Sequence, residues 1–169
     1  MNLKQLYQDI ILEHGKSPRN LGKCEGYSHE AKGYNPLCGD KVHVYLKSDT
    51  GKEVENLTFV GDGCAISLAS ASIMTELIKG KSFEDAKEII STFLNMMRKW
   101  SFKGVYHGHP KNTSEIHSNH LDDDQKIKIM SLSGVKQFPM KVKCATLSWH
   151  TLVSAMEGNK EEINTEIID

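Results

Sequence analysis

No apolar run in this 169-residue chain approaches the ~20 residues that a membrane-spanning helix needs. Charge of either sign is not in excess: 21 lysines and arginines face 22 aspartates and glutamates, a formal charge of −1. A dedicated nucleic-acid binder normally carries a basic surplus over a whole face, so no nucleic-acid partner is expected, and a polyacidic protein is excluded too. Cysteine is scarce. The four present include no C-x-x-C pair, which excludes both a zinc ribbon and a thioredoxin-type redox motif. The amino-terminal residues Met1-Asn2-Leu3-Lys4-Gln5 lack the basic-then-apolar order of an export signal. A reducing cytoplasm is the expected location, and thiols there are seldom disulfides.

What is present is periodicity of two kinds. Leu3, Leu6, Tyr7, Ile10 and Ile11 recur at helical spacing, with Asn2 and Gln5 placed to cap the start and His14-Gly15 to end the helix. Residues 26–34 read as an edge strand. Val42, Val44 and Leu46 alternate with His43 and Tyr45, and after the turn Ser48-Asp49-Thr50-Gly51 a second antiparallel strand is expected over Val54–Val60. Beyond Cys64 the pattern becomes helical, with Ile66, Ser70, Ile73, Met74, Leu77 and Ile78 on one face and Gly80 as the stop. A further stripe runs from Phe83 to Trp100, in which Met96, Met97 and Trp100 read as core. Asp122-Asp123-Asp124 suit a helix start, and a short helix follows around Gln125–Ser133. The last helix is expected from about Met140 to Glu157. These elements predict an α+β domain over residues 1–157, a small antiparallel sheet with helices packed on one face. A polar insertion at about 101–121 interrupts it, and a charged, frayed tail covers 158–169.

Cys38, Cys64 and Cys144 sit at junctions rather than in the middle of elements. Cys38 lies in the turn Asn35-Pro36-Leu37-Cys38-Gly39-Asp40, Cys64 where Gly61-Asp62-Gly63 passes from strand to helix, and Cys144 near the start of the last helix. A helix amino terminus favours thiolate, which predicts lowered pKa values for Cys64 and Cys144, and Lys141 and Lys143 add positive charge beside Cys144. Gly39, Gly61 and Gly63 permit tight turns that leave a thiol clear of the backbone. A core cysteine needs none of this. Asp40, two residues after Cys38, is either a turn cap or a fourth donor; three thiolates and a carboxylate form a tetrahedral set acceptable to zinc.

Three motifs together, Asn35-Pro36-Leu37-Cys38-Gly39-Asp40, Gly63-Cys64-Ala65-Ile66-Ser67 and Lys143-Cys144-Ala145-Thr146-Leu147-Ser148-Trp149, resemble the iron–sulfur assembly family that contains IscU, SufU and the amino-terminal domain of NifU. The likeness runs from the first helix to about residue 156, apart from the 101–121 loop. Lys143 stands where IscU proteins carry histidine, and the long stretch between Cys64 and Cys144 matches the SufU branch. The resemblance implies zinc held by Cys38, Asp40, Cys64 and Cys144, with Cys38 accepting persulfide sulfur from a SufS-type cysteine desulfurase and passing it toward iron–sulfur scaffold proteins. A partner histidine replacing Cys38 on the metal would free its thiolate for attack. Lys141 replaces an arginine frequent in that branch, which keeps the charge for partner docking but loses the planar fork.

Two other readings stand beside that one. A non-enzymatic scaffold would assemble a [2Fe–2S] cluster on the same residues, and a structural zinc module would exchange no ligand at all. Gly15-Lys16-Ser17 and Gly80-Lys81-Ser82 lack the first glycine of a phosphate loop. His107, His109, His117 and His120 read as a solvated loop, since no cysteine or carboxylate pattern frames them. Cys24, between Lys23 and Glu25, reads as a surface or half-buried thiol.

Overall fold

The computed structural model describes residues 2–98 and 120–166. Its elements follow one another as α1 (Leu3–Lys16), β1 (His29–Asn35), β2 (Asp40–Lys47), β3 (Asn56–Asp62), α2 (Ala65–Ile78), α3 (Phe83–Arg98), α4 (Asp123–Ser131), a 3-10 helix (Leu132–Gln137), α5 (Pro139–Met156) and β4 (Ile163–Asn164). The strands form one sheet in the order β3-β2-β1-β4. β2 pairs antiparallel with both β1 and β3, while β4 runs parallel to β1. The α+β expectation holds, and α2 and α5 lie against the sheet.

Alternation along β2 dictates which face they cover. Val42, Val44 and Leu46 are buried on the helix side, while Lys41 stands exposed on the other. Asp40 shares parity with these apolar residues and is completely buried. On β1 the same face carries Ala31, Gly33 and Asn35, and the last of these pairs in register with Asp40. A polar pair thus closes an otherwise apolar stripe, and it does so at the sheet end nearest Cys38.

α2 runs through the centre of the molecule, so that Ser70 and Ser72 are as inaccessible as Ile73 and Leu77. The Ser70 and Ser72 hydroxyls both have partners. His14 Nδ1 of α1 and Ser72 Oγ lie 2.7 Å apart, and the Arg19 amide donates to the same oxygen. Ser70 Oγ accepts from the Trp149 indole at 2.9 Å and donates to the Ala145 carbonyl of α5. Trp149 also stacks on Phe93, with ring centroids 4.0 Å apart, which joins α3 to the same core.

Where α5 crosses β1, Gly33 lets the backbones approach. A Cβ at that position would run into Thr151 Oγ1 and would stand 2.9 Å from Leu147 Cδ1. Gly33→Ala is expected to push α5 off the sheet, at an overpacking cost of about 1–3 kcal/mol. In a chain of this size that lowers the thermal midpoint by roughly 3–10 °C, measured by circular dichroism.

Several boundaries differ from the sequence expectation. α1 continues through Gly15 to Lys16, and its Asn2 cap is present, with the Gln5 amide donating to Asn2 Oδ1. α4 starts at the expected acidic run, where Asp122 and Gln125 cap one another reciprocally. β1 has a neighbour on each side, although the outer one, β4, is only two residues long. β4 comes from the stretch expected to fray. There Thr165 is 2% exposed, because its amide continues the pairing by donating to the Tyr34 carbonyl. Cys24 is buried rather than superficial, and Asn56 Nδ2 donates to its sulfur at 3.3 Å. Trp100 and the insertion up to residue 119, with His107, His109 and His117, lie outside the described residues. His120 pairs with Asp85 and Glu88 of α3. No helix of the described residues is long and apolar enough to cross a membrane.

Candidate metal centre

The β1–β2 hairpin, the β3–α2 junction and the first two turns of α5 meet at one end of the sheet. Cys38 sits in the hairpin loop of residues 36–39, where Gly39 takes a left-handed φ of +72° and turns the chain back into β2. Asp40 then opens β2 facing inward. Cys144 is the sixth residue of α5 and wholly buried. Its Sγ, the Cys38 Sγ and an Asp40 carboxylate oxygen all lie within 4.8 Å of one another. Ligands around a tetrahedral zinc, bonded at 2.0–2.3 Å, stand about 3.3–3.8 Å apart. A shift of about an ångström therefore brings the three onto one ion.

Cys64 borders this group. It is the N-cap of α2, and its backbone amide donates to Asp40 Oδ1 at 3.0 Å. That approach depends on Gly63, since a Cβ there would overlap the Asp40 carboxylate. The other carboxylate oxygen, Oδ2, accepts from Asn35 Nδ2 at 3.1 Å. Asp40 is thereby held at both oxygens, one by β1 and one by the β3–α2 junction.

Protons are shared unevenly among the thiols. Cys64 is drawn down to about 6, chiefly by a hydrogen bond from the Cys144 thiol, with the Ser67 amide in the first turn of α2 adding to the effect. Cys144 moves the opposite way, upward, because it supplies that bond and is buried beside Asp40 and Cys38. The expectation of a lowered value is met at Cys64 and reversed at Cys144. Cys144 lies too far inside α5 to feel its amino terminus, so the hydrogen bond to Cys64, followed by burial, sets the direction. A cation taking the place of the proton between the two sulfurs would relieve the crowding of negative charge there. Soft sulfur donors with a carboxylate suit zinc, so the residues present fit that ion.

Lys141 reaches the thiols, its Nζ standing 3.8 Å from Cys38 Sγ. Its own pKa is raised by Cys64 first, then by Cys144 and Cys38. Lys143 makes no hydrogen bond or ion pair with the site among the described residues. Helical geometry separates the two lysines: three residues before Cys144 lies on its own face of α5, whereas one residue before points about 100° away. Sequence reasoning missed Asn35, whose Nδ2 also lies 3.4 Å from Cys144 Sγ, although its parity with Ala31 and Gly33 was readable.

Comparison with known proteins places these features in company. Residues 6–145 match the family described as NifU-like N-terminal domain. The chain is 39% identical over 152 residues to the zinc-dependent sulfurtransferase SufU of Bacillus subtilis, covering 89% of each chain. It is 32% identical to the iron–sulfur cluster assembly scaffold protein IscU of Streptococcus pyogenes, covering 92% of this chain and 85% of that one. A crystal structure from Fervidobacterium islandicum AW-1, described as an iron–sulfur cluster assembly scaffold for the SUF system, superposes with a TM-score of 0.70 at 32% identity, over 90% of this chain and 97% of the other.

Proposed function

We propose that this chain, which belongs to the NifU-like N-terminal domain family, is a zinc-dependent sulfurtransferase of iron–sulfur cluster biogenesis that takes persulfide sulfur from a cysteine desulfurase. The observation that carries the reading is the asymmetry of the donor set. Asp40 and Cys144 are fully buried and tied to the scaffold, whereas Cys38 is partly exposed, sits on a hairpin loop, and has the Lys141 ammonium beside it. Cys38, Asp40, Cys64 and Cys144 would hold the ion, which supplies charge that keeps thiolates deprotonated at neutral pH.

The chain's own part in transfer follows from that layout. The Cys38 thiolate attacks the outer sulfur of the donor persulfide, so that a new S–S bond forms on Cys38. The donor's S–S bond breaks, and its cysteine leaves as thiolate with the electron pair. No external oxidant or reductant is needed. Lys141, within 4 Å of the attacking sulfur, offsets the negative charge that two approaching sulfurs would otherwise concentrate. The exposed rim beside Cys38, with Leu37, Phe138 and Met140 at about half exposure or more, offers an apolar surface for the docking partner. Such chemistry belongs in a reducing cytoplasm, and all four cysteines are free thiols. Sulfur on Cys38 would next pass to a downstream scaffold protein.

Metal analysis of freshly purified protein, paired with sulfide release by a desulfurase, tests the reading. One equivalent of tightly held zinc and strong stimulation of the desulfurase are expected. Chelation of the zinc should abolish the stimulation. A stable, transferable cluster formed by anaerobic reconstitution, without stimulation, would instead make the chain a scaffold.

A further inference from the structure

Asn35 ends β1 with its side chain wholly buried and every polar atom engaged. Both contacts of its Nδ2 face the metal centre, at 3.1 Å to Asp40 Oδ2 and 3.4 Å to Cys144 Sγ. Its Oδ1 faces away and accepts from Thr165 Oγ1 at 3.0 Å. An amide side chain has one accepting end and one donating end, and turning it over would aim its oxygen at a carboxylate and a sulfur. The Asp40 carboxylate, which only accepts, fixes that orientation, and the Thr165 hydroxyl braces it by donating to the amide oxygen on the far side.

Thr165 is held independently of the site. β4 pairs Ile163 with Gly33 and Asn164 with Tyr34, and the Thr165 amide donates to the Tyr34 carbonyl. The carboxyl-terminal segment thus runs along the free edge of β1 and delivers a hydroxyl behind the residue that faces two of the donors.

We propose that Asn35 and Thr165 form a positioning relay, in which the carboxyl-terminal segment braces the Asn35 amide from behind and Asn35 in turn holds Asp40 and Cys144 in metal-binding geometry. The inference rests on the zinc reading above and adds to it residues that touch no ion themselves. Outer partners of this kind typically change metal affinity by about 10–100-fold when removed.

The test compares the wild-type chain with Thr165→Val, which keeps the shape and removes the hydroxyl, Thr165→Ser, which restores it, and Asn35→Leu, which removes both donor contacts at similar volume without adding charge. Zinc affinity is read by competition with a chromophoric chelator, and site geometry by the visible spectrum of the cobalt-substituted protein. Thr165→Val should bind zinc about 10-fold more weakly, with altered cobalt bands, Thr165→Ser should return to within about twofold of wild type, and Asn35→Leu should lose about 10–100-fold. A purely structural role would lower the melting point of the metal-free protein and leave affinity and spectrum unchanged, and that result overturns the relay. Should Thr165→Val fail to fold, Asn35→Leu decides alone, and wild-type affinity in it is equally fatal. A wild-type chain that binds no zinc brings down the functional reading and the relay together; zinc binding that is indifferent to all three variants brings down only the relay.

Discussion

Cys38→Ala should abolish the chain's stimulation of a desulfurase, a loss of about 100-fold or more, and no labelled sulfur should remain on the purified protein. Accessibility picks out this thiol. Cys144 is closed to any partner, and Cys24 is buried on the far side of the fold from the hairpin loop, in contact with Asn56. Cys64 is partly exposed, but its backbone is tied to Asp40 and its thiol is engaged with Cys144. Only Cys38 combines exposure, a turn that stands clear of the sheet, and a neighbouring ammonium. Cys24→Ala is the matched control and should accept sulfur at the wild-type level. Uptake of labelled sulfur by Cys38→Ala at wild-type rates would transfer the acceptor role to Cys64.

The second large effect is expected at Asp40. Asp40→Ala removes the acceptor from two buried donors at once, the Cys64 amide and the Asn35 side chain. Each unpaired buried group costs about 1–3 kcal/mol, so the metal-free protein should lose roughly 2–5 kcal/mol. For a chain of this length the thermal midpoint falls by roughly 5–15 °C. Zinc affinity should drop about 100-fold or more, since one donor is gone and the β3–α2 junction that carries Cys64 is released. Asp40→Asn separates the two contributions. Its oxygen can still receive the Cys64 amide, while its NH2 group faces the Asn35 NH2 group, so part of the stability returns but the charge does not. Thermal melts with and without metal, together with chelator competition, distinguish the outcomes. Unchanged zinc affinity in Asp40→Ala would show that the carboxylate is a turn cap and nothing more.

Much of this architecture was legible from local pattern. The alternation of Val42, Val44 and Leu46 marked β2 and its buried face, and Asn2 and Asp122 marked two helix starts, because each signal lies within a few residues. The site was legible as a set of motifs: of the four expected donors, Cys38, Asp40 and Cys144 lie within 4.8 Å of one another, and Cys64 borders them. Their individual states were not. Cys144 was expected to be acidified by a helix end, yet its burial depends on α5 lying close against β1, which Gly33 permits from over a hundred residues away. The Asp40 alternatives were separable by parity, since a residue in step with Val42 and Val44 faces the helices. β4 left no trace, because two residues cannot display a period and their pairing is set by the distant edge of β1. The difference between Lys141 and Lys143 needed only helical arithmetic.

The Phe93–Trp149 stack has a practical consequence. Trp149 lies five residues beyond Cys144 on the same helix, clamped between an aromatic ring and a serine hydroxyl, and in a Trp100→Phe variant it is the chain's one tryptophan. Its fluorescence therefore monitors the seating of α5. An emission maximum that stays blue while thiol reagents or chelators act would locate the response in the hairpin loop; one that drifts red would mean the helix itself had lifted from the core.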